Sequence, residues 1–346
     1  MGERTHVTLQ DVARAAAVSP ATASRVLNGT AKVRDDLRAR VQDAAGRLAY
    51  APNAHAQALA GASRRTVGVI CHDVSDPYFA VIARGVMRVA GDNGLLVMLA
   101  STIRDADREV AYVSMLRAQR APAILLIGSG FEDKTWERSL AAELDPYVRG
   151  GGRVAVVSRH RSLRVDSVLP ENRSGAAALA NALLEMGHRR FAILAGPRQL
   201  TTVADRIAGF RAALADAGVH MSEKDIVECG FTRDGGYEGM TRLVADGLRA
   251  TCVFAVTDVM AIGALTALRD KGLSVPGDVS VAGFDDIPIV RDLTPPLTTV
   301  ALPLEQLGER AMELTLRENS ARRSRIIRVA GEVVIRQSTG RVPVDA

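Results

Sequence analysis

From Thr66 onward the chain alternates short apolar runs with longer amphipathic stretches, and this alternation limits the fold more than any other feature. The runs 66–71 (TVGVIC), 95–101 (LLVMLAS), 123–128 (AILLIG), 153–158 (RVAVVS), 190–196 (RFAILAG), 226–230 (IVECG), 252–257 (CVFAVT) and 279–284 (VSVAGF) read as buried parallel strands. Helices fit between them, for example over 80–92, 107–118, 174–186, 204–217, 234–246 and 259–271. Such alternation predicts a doubly wound α/β architecture, and the body is long enough for two lobes of this kind.

In that architecture ligands sit at the carboxyl ends of the strands. His72 and Asp73 follow the first strand, then Asp76 and Pro77–Phe79; Arg159 follows the fourth. Arg206 lies beyond the fifth, Phe231 after the sixth, Asp258 after the seventh, and Asp285-Asp286 after the eighth. Rings pack on the apolar faces of a polyhydroxy ligand while charged groups bond its hydroxyls. The candidate effector-binding residues are therefore His72, Asp76, Phe79, Arg159, Arg206, Phe231, Asp258 and Asp285. Helix capping is the competing role for Asp258 and Asp285, and core packing for Phe79. Tyr78 is read as a lobe-surface residue. Gly187 marks a helix end, and His188, Arg189 and Arg190 are read as a cap and solvated turn rather than a site.

The first 65 residues differ. They hold ten Lys/Arg against five Asp/Glu, while the whole chain holds 44 against 39, so the net charge of +5 resides in them. A basic head on a neutral body points to a polyanion partner. Thr8 caps a helix over "LQDVARAA", with Leu9, Val12, Ala13 and Ala16 on one face. Ser19 caps a second, with Pro20 in its first position, Ala23, Val26 and Leu27 inward, and Asn28-Gly29 as the stop. A third runs from about Asp35 to Leu48 with Leu37, Val41, Ala44 and Leu48 inward. This is a helix-turn-helix unit. The small side chains of the second helix let its backbone approach a duplex. Ser19, Thr22 and Ser24 can donate to phosphates, and Arg25 reaches a guanine edge with two bonds.

"TLQDVARAAAVSPATASRVLNG" followed by "YAPNAHAQALAG" resembles the head and hinge of the lactose-repressor (LacI/GalR) family of bacterial transcription regulators, and the match runs nearly to the C-terminus. The resemblance implies that Pro20, Ala21 and Arg25 face bases; Ala21 can touch only a thymine methyl, which leaves Arg25 as the main reader. Thr8, Asn28 and Arg34 complete the candidate DNA-binding set, Arg34 standing where the family often has a Ser or Thr cap. Ala17 stands where the turn usually holds Gly. The resemblance also implies a hinge helix in 51–65 that folds on DNA beside its twin from a second subunit. Leu59 would wedge the minor groove open, with Asn53, Ala56 and Gln57 facing the duplex. For the body it implies a periplasmic-binding-protein-like pair of lobes, with crossovers near 160, 290 and 320. Residues matching Phe79, Arg159, Arg206, Phe231 and Asp285 would line its cleft. Thr257 stands where many relatives have Asn.

The expected organisation is a head over 1–50, a hinge over 51–65 and an effector-binding and dimerisation domain over 66–346. The expected function is a homodimeric regulator, in this family most often a repressor, that binds a near-palindromic double-stranded operator under allosteric control by a small-molecule effector. An enzyme with an appended head is the rival class. Against it, the chain has no Walker A loop, no H-E-x-x-H and no G-x-S-x-G, and "GSGFED" has Asp133 where a dinucleotide loop needs its third Gly. No catalytic residue, metal or cofactor is expected. Cys71, Cys229 and Cys252 are read as small hydrophobes. No apolar run approaches a membrane span, and "MGERTHVTLQDVARAA" lacks the apolar core of a secretory signal, so a cytoplasmic protein is expected. "VVIRQSTGRVPVDA" holds no heptads, which favours a dimer over a tetramer.

Overall fold

The computed structural model describes residues 7–27, 33–50, 66–160, 163–317 and 324–342. The chain divides into two compact units, Met1–Arg64 and Arg65–Ala346. In the first, α1 (Leu9–Ala15), α2 (Pro20–Leu27) and α3 (Asp35–Arg47) enclose a core of Val12, Ala13, Ala16, Ala23, Val26, Val41 and Ala44. Thr8 and Asp11 form a reciprocal capping box at the start of α1. The helix closes as a Schellman turn: Val18 N–H donates to Ala13 O at 2.9 Å and Ala17 N–H to Arg14 O at 3.1 Å. Ala17 occupies the left-handed position at φ +52°, where glycine is the unstrained choice. Arg40 on α3 holds this turn by donating to Ala16 O at 2.5 Å.

The second unit holds two parallel sheets. The first lobe has strand order β11-β5-β4-β3-β1-β2, built from β1 (Thr66–Cys71), β2 (Leu96–Ser101), β3 (Ala123–Ile127), β4 (Arg153–Val157), β5 (Asp166–Pro170) and β11 (Ile326–Val329). Its helices are α4 (Pro77–Asp92), α5 (Ala106–Ala118), α6 (Lys134–Arg149) and α11 (Leu304–Leu316). The second lobe has order β7-β6-β8-β9, from β6 (Phe191–Ala195), β7 (Ile226–Glu228), β8 (Cys252–Ala255) and β9 (Ser280–Ala282). Its helices are α7 (Asn172–Glu185), α8 (Thr201–Asp216), α9 (Arg233–Ala245) and α10 (Asp258–Asp270). The eight expected strands form. Every pair within the two sheets is parallel, as in "AILLI" on "TVGVI", where Leu125 lies beside Val69.

Four strands escaped the sequence reading. β5 opens on the polar Asp166 and Ser167, and β11 is interrupted by Arg328; β10 (Thr299–Ala301) and β12 (Glu332–Val334) are three residues each and pair antiparallel. The crossovers therefore fall later than expected. The chain stays in the first sheet through Pro170 rather than leaving near 160, because β5 still pairs with β4. It returns between β10 and α11 rather than near 290, because Thr298 and Ala301 are still bridged to Ala282 and Asp285 of the second lobe. The last passage follows β11 rather than lying near 320. Gly187 ends α7 at φ +93°, and Arg189 donates to Leu184 O at 2.8 Å, the cap read from sequence, but His188 is not solvated: it is buried, with its Nδ1 3.0 Å from the Thr251 hydroxyl. Cys71 and Cys252 are buried and Cys229 half-buried; burial pushes the Cys71 and Cys229 thiols up to about 11. Among the described residues no helix is long and apolar enough to cross a membrane.

Candidate functional site

The chain order reverses between β1 and β3 in one sheet and between β6 and β8 in the other. Crevices open at the carboxyl ends of strands at such switch points. A small cavity lies there, lined by His72, Asp76, Tyr78, Phe79, Gly128, Ser129, Thr202, Arg206, Phe231, Thr257 and Asp285. Six of the eight expected cleft residues meet in it.

The first lobe supplies an aromatic wall. His72 leaves β1 into a space between Phe79 and Phe131, with ring centroids 5.9 and 5.7 Å away. Gly128 makes that space: a Cβ there would stand 2.8 Å from the imidazole. Burial, then the nearby Arg104 and His160 charges, push the His72 pKa down to about 3, so the ring is neutral. Its Nε2 has no hydrogen-bond partner among the described residues. Asp76 caps α4 by accepting from Tyr78 N–H at 3.0 Å, and burial raises its pKa. Tyr78 is not a surface residue as expected. It follows Pro77 in the first turn of α4, packs edge-on to Phe79 at 5.0 Å and lines the cavity.

The second lobe supplies a buried guanidinium. Arg206 is 1% exposed. Its Nε donates to Asn172 at 2.9 Å, Nη1 to Val256 O at 2.5 Å, and Nη2 to Asp285 at 2.6 Å. Its Cζ lies 3.8 Å over the Phe284 ring. Asp285 stands at φ +118°, and its N–H donates to Val300 O at 2.9 Å, so a strained backbone is held between two strands. Burial raises the Asp285 pKa to about 6 against the opposing pull of Arg206. Asp286 points elsewhere, pairing with Arg291 and Arg336 at 2.7 Å each. Phe231 folds over the end of β6, where Gly196 leaves room: a Cβ there would meet its ring at 2.1 Å. Thr257 caps α10.

Two expected residues are outside the cavity. Asp258 is fully buried behind it, because its carboxylate accepts from Ile287 N–H at 2.9 Å and Thr299 Oγ1 at 2.6 Å. It stitches the returning strand to the second lobe, and burial raises its pKa to about 7. Arg159 turns aside to pair with Asp205. Of the residues that sequence reasoning missed, Thr202 was within reach of it, since it lies one turn before Arg206 on α8. Gly128 and Ser129 follow β3 but carry no charge or ring. Arg104 packs 5.1 Å from the centroid of Phe231, a contact with no local sequence signal.

In the head, Ser19, Pro20, Ala21 and Arg25 are exposed, and Thr22 and Ser24 half-buried. Ser19 caps α2 through Thr22 N–H at 3.1 Å, and the two hydroxyls bond each other at 2.8 Å. Arg25 Nε rests on Ala21 O at 3.2 Å. Thr8 is engaged with Asp11, and Arg34 is paired with Asp36 at 2.7 Å. Asn28, Asn53, Ala56, Gln57 and Leu59 lie outside the described residues.

A helix-turn-helix head and a two-lobed periplasmic-binding-protein-like body together define a DNA-binding transcriptional regulator. Residues 8–53 match the family described as bacterial regulatory proteins, lacI family, and residues 180–339 match the periplasmic binding protein-like domain. The HTH-type transcriptional regulator GalS of Salmonella typhimurium is 38% identical over 310 residues, covering 90% of this chain and 89% of that one. DegA of Bacillus subtilis, also an HTH-type transcriptional regulator, is 33% identical over 338 residues, covering 96% and 98%. The chain belongs to the lacI family of bacterial transcriptional regulators. A lac repressor dimer bound to operator and the anti-inducer ONPF superposes with TM-score 0.84 at 25% identity, covering 96% of this chain and 99% of that one. A transcriptional regulator CelR–cellobiose complex gives 0.69 at 29%, with the same coverage.

Proposed function

We propose that the chain is a repressor that grips a near-palindromic operator as a homodimer, and that a small polyhydroxy effector in the cleft governs that grip. The observation that carries the DNA reading is the division of α2. It buries Ala23 and Val26 and leaves Pro20, Ala21 and Arg25, with the capping Ser19, exposed on a basic head. Arg25 reads a guanine; Ser19, Thr22, Ser24, Thr8 and Arg34 position the head on phosphates. The hinge residues Asn53, Ala56, Gln57 and Leu59, with Asn28, complete the interface.

The effector reading rests on what converges in the cleft: Phe79 and Phe231 as platforms, Asp76, Asp285 and Arg206 as hydroxyl partners, and the neutral His72 with an unpartnered Nε2. No catalytic step is assigned to it, since Asp285 and Asp286 point to different arginines. Edge strand β2 exposes Leu96, Met98 and Leu99, and such an apolar edge calls for cover. A second copy supplies the cover, and the resulting two-fold axis matches a palindrome.

Selection from a random duplex library yields the operator. On the selected site Arg25→Ala weakens binding by about 1–3 kcal/mol, with random DNA nearly unaffected. Equal loss on both duplexes contradicts base reading by Arg25.

A further inference from the structure

Arg159 follows β4 in the first lobe; Asp205 lies on α8 in the second. The Arg159 Nε donates to Asp205 Oδ2 at 3.0 Å and its Nη2 to Oδ1 at 2.9 Å, two parallel bonds across the lobes. A planar fork on a carboxylate is the most orientation-selective ion pair available to side chains. It does not stand alone. Phe131 forms an antiparallel bridge with Leu200, Glu132 N–H donates to Gln199 O at 2.7 Å, and Thr201 N–H donates to Gly130 O at 2.9 Å. The Thr201 hydroxyl reaches Arg159 O at 3.4 Å. These contacts form one seam between lobes, separate from the three places where the chain itself crosses. The seam shares a helical turn with the cavity, because Thr202 and Arg206 flank Asp205 on α8.

We propose that Arg159 and Asp205 are positioning residues that latch the two lobes closed before any effector is bound, so that an effector enters only when this seam parts. Arg159 then acts on the effector through lobe position and through Thr202 and Arg206, not by touching it. The inference rests on the reading that an effector enters between the lobes, but its test requires neither effector nor DNA.

Amide hydrogen exchange of the full-length, ligand-free protein reads the seam at Glu132 and Thr201. Arg159→Ala and Asp205→Asn each raise exchange there about fivefold, the scale of a partly exposed ion pair, while β3 and β6 keep their protection. Unchanged exchange in the single variants, or a rise that spreads through β3 and β6, overturns the latch. Failure of the operator selection, by contrast, would leave these rates as they are.

Discussion

Arg206→Ala removes the group around which the second lobe's cleft wall is built. The guanidinium is buried, and its loss strips donors from Asn172, Val256 O and both oxygens of Asp285 while uncovering one face of Phe284. Removing one partner of a buried pair costs about 3–5 kcal/mol, mostly because the other charge stays behind. One offset is visible. Burial already raises the Asp285 pKa to about 6, and Arg206 is the main influence holding it down. Without Arg206 that carboxyl binds a proton closer to neutrality and sheds its charge, which places the cost at the lower end, about 3 kcal/mol. Urea denaturation followed by circular dichroism at pH 7 and pH 5 measures it. The loss is smaller at pH 5, where Asp285 is protonated in the variant. The double variant Arg206→Met/Asp285→Asn, with both charges gone, recovers part of the stability. A single-variant loss below about 1 kcal/mol, or a double variant destabilised by the sum of the two singles, would refute the reasoning.

Ala17→Gly relieves the left-handed turn between α1 and α2 and stabilises the head by about 0.5–1 kcal/mol, read as slower amide exchange in α1 and α3; faster exchange contradicts the strain. The pH profile of stability carries a second signature. Asp258 and Asp285 have folded pKa values near 7 and 6, raised from 3.8, so the folded chain holds more protons than the unfolded one between about pH 4 and 7. Their contribution is full below pH 4 and is lost as pH rises through 6 and 7. Asp258→Asn therefore flattens the fall in urea midpoint between pH 5 and pH 8; a steeper fall in the variant counts against the assignment.

The fold was largely legible because its strongest signals are local. Runs such as "AILLI" and "FAILA" are apolar on both faces, as a central parallel strand must be, and their spacing alone defines the winding. β10 and β12 carry no such signal, since three-residue strands take their identity from the partner they meet. The cleft was legible wherever a residue directly follows a strand end, as with His72 and Phe231. Asp258 obeys the same rule and fails it, because two buried donors, Ile287 N–H and the Thr299 hydroxyl, claim its carboxylate. Arg159 fails for a similar reason: its partner Asp205 is 46 residues away in the chain and on the other lobe. Tyr78 was misplaced because an N-terminal helical position tells nothing of which lobe faces it.

The central claim, that the cleft governs how firmly the head holds DNA, is tested most directly by one titration. Affinity for the selected duplex is measured by fluorescence anisotropy at fixed salt, with and without each compound that raises the thermal stability of the body. The account predicts at least one small polar compound that changes the affinity by about fivefold or more, the range of ordinary allosteric coupling. If compounds bind the body and every one leaves the affinity unchanged, the lobes do not govern the head and the account is wrong.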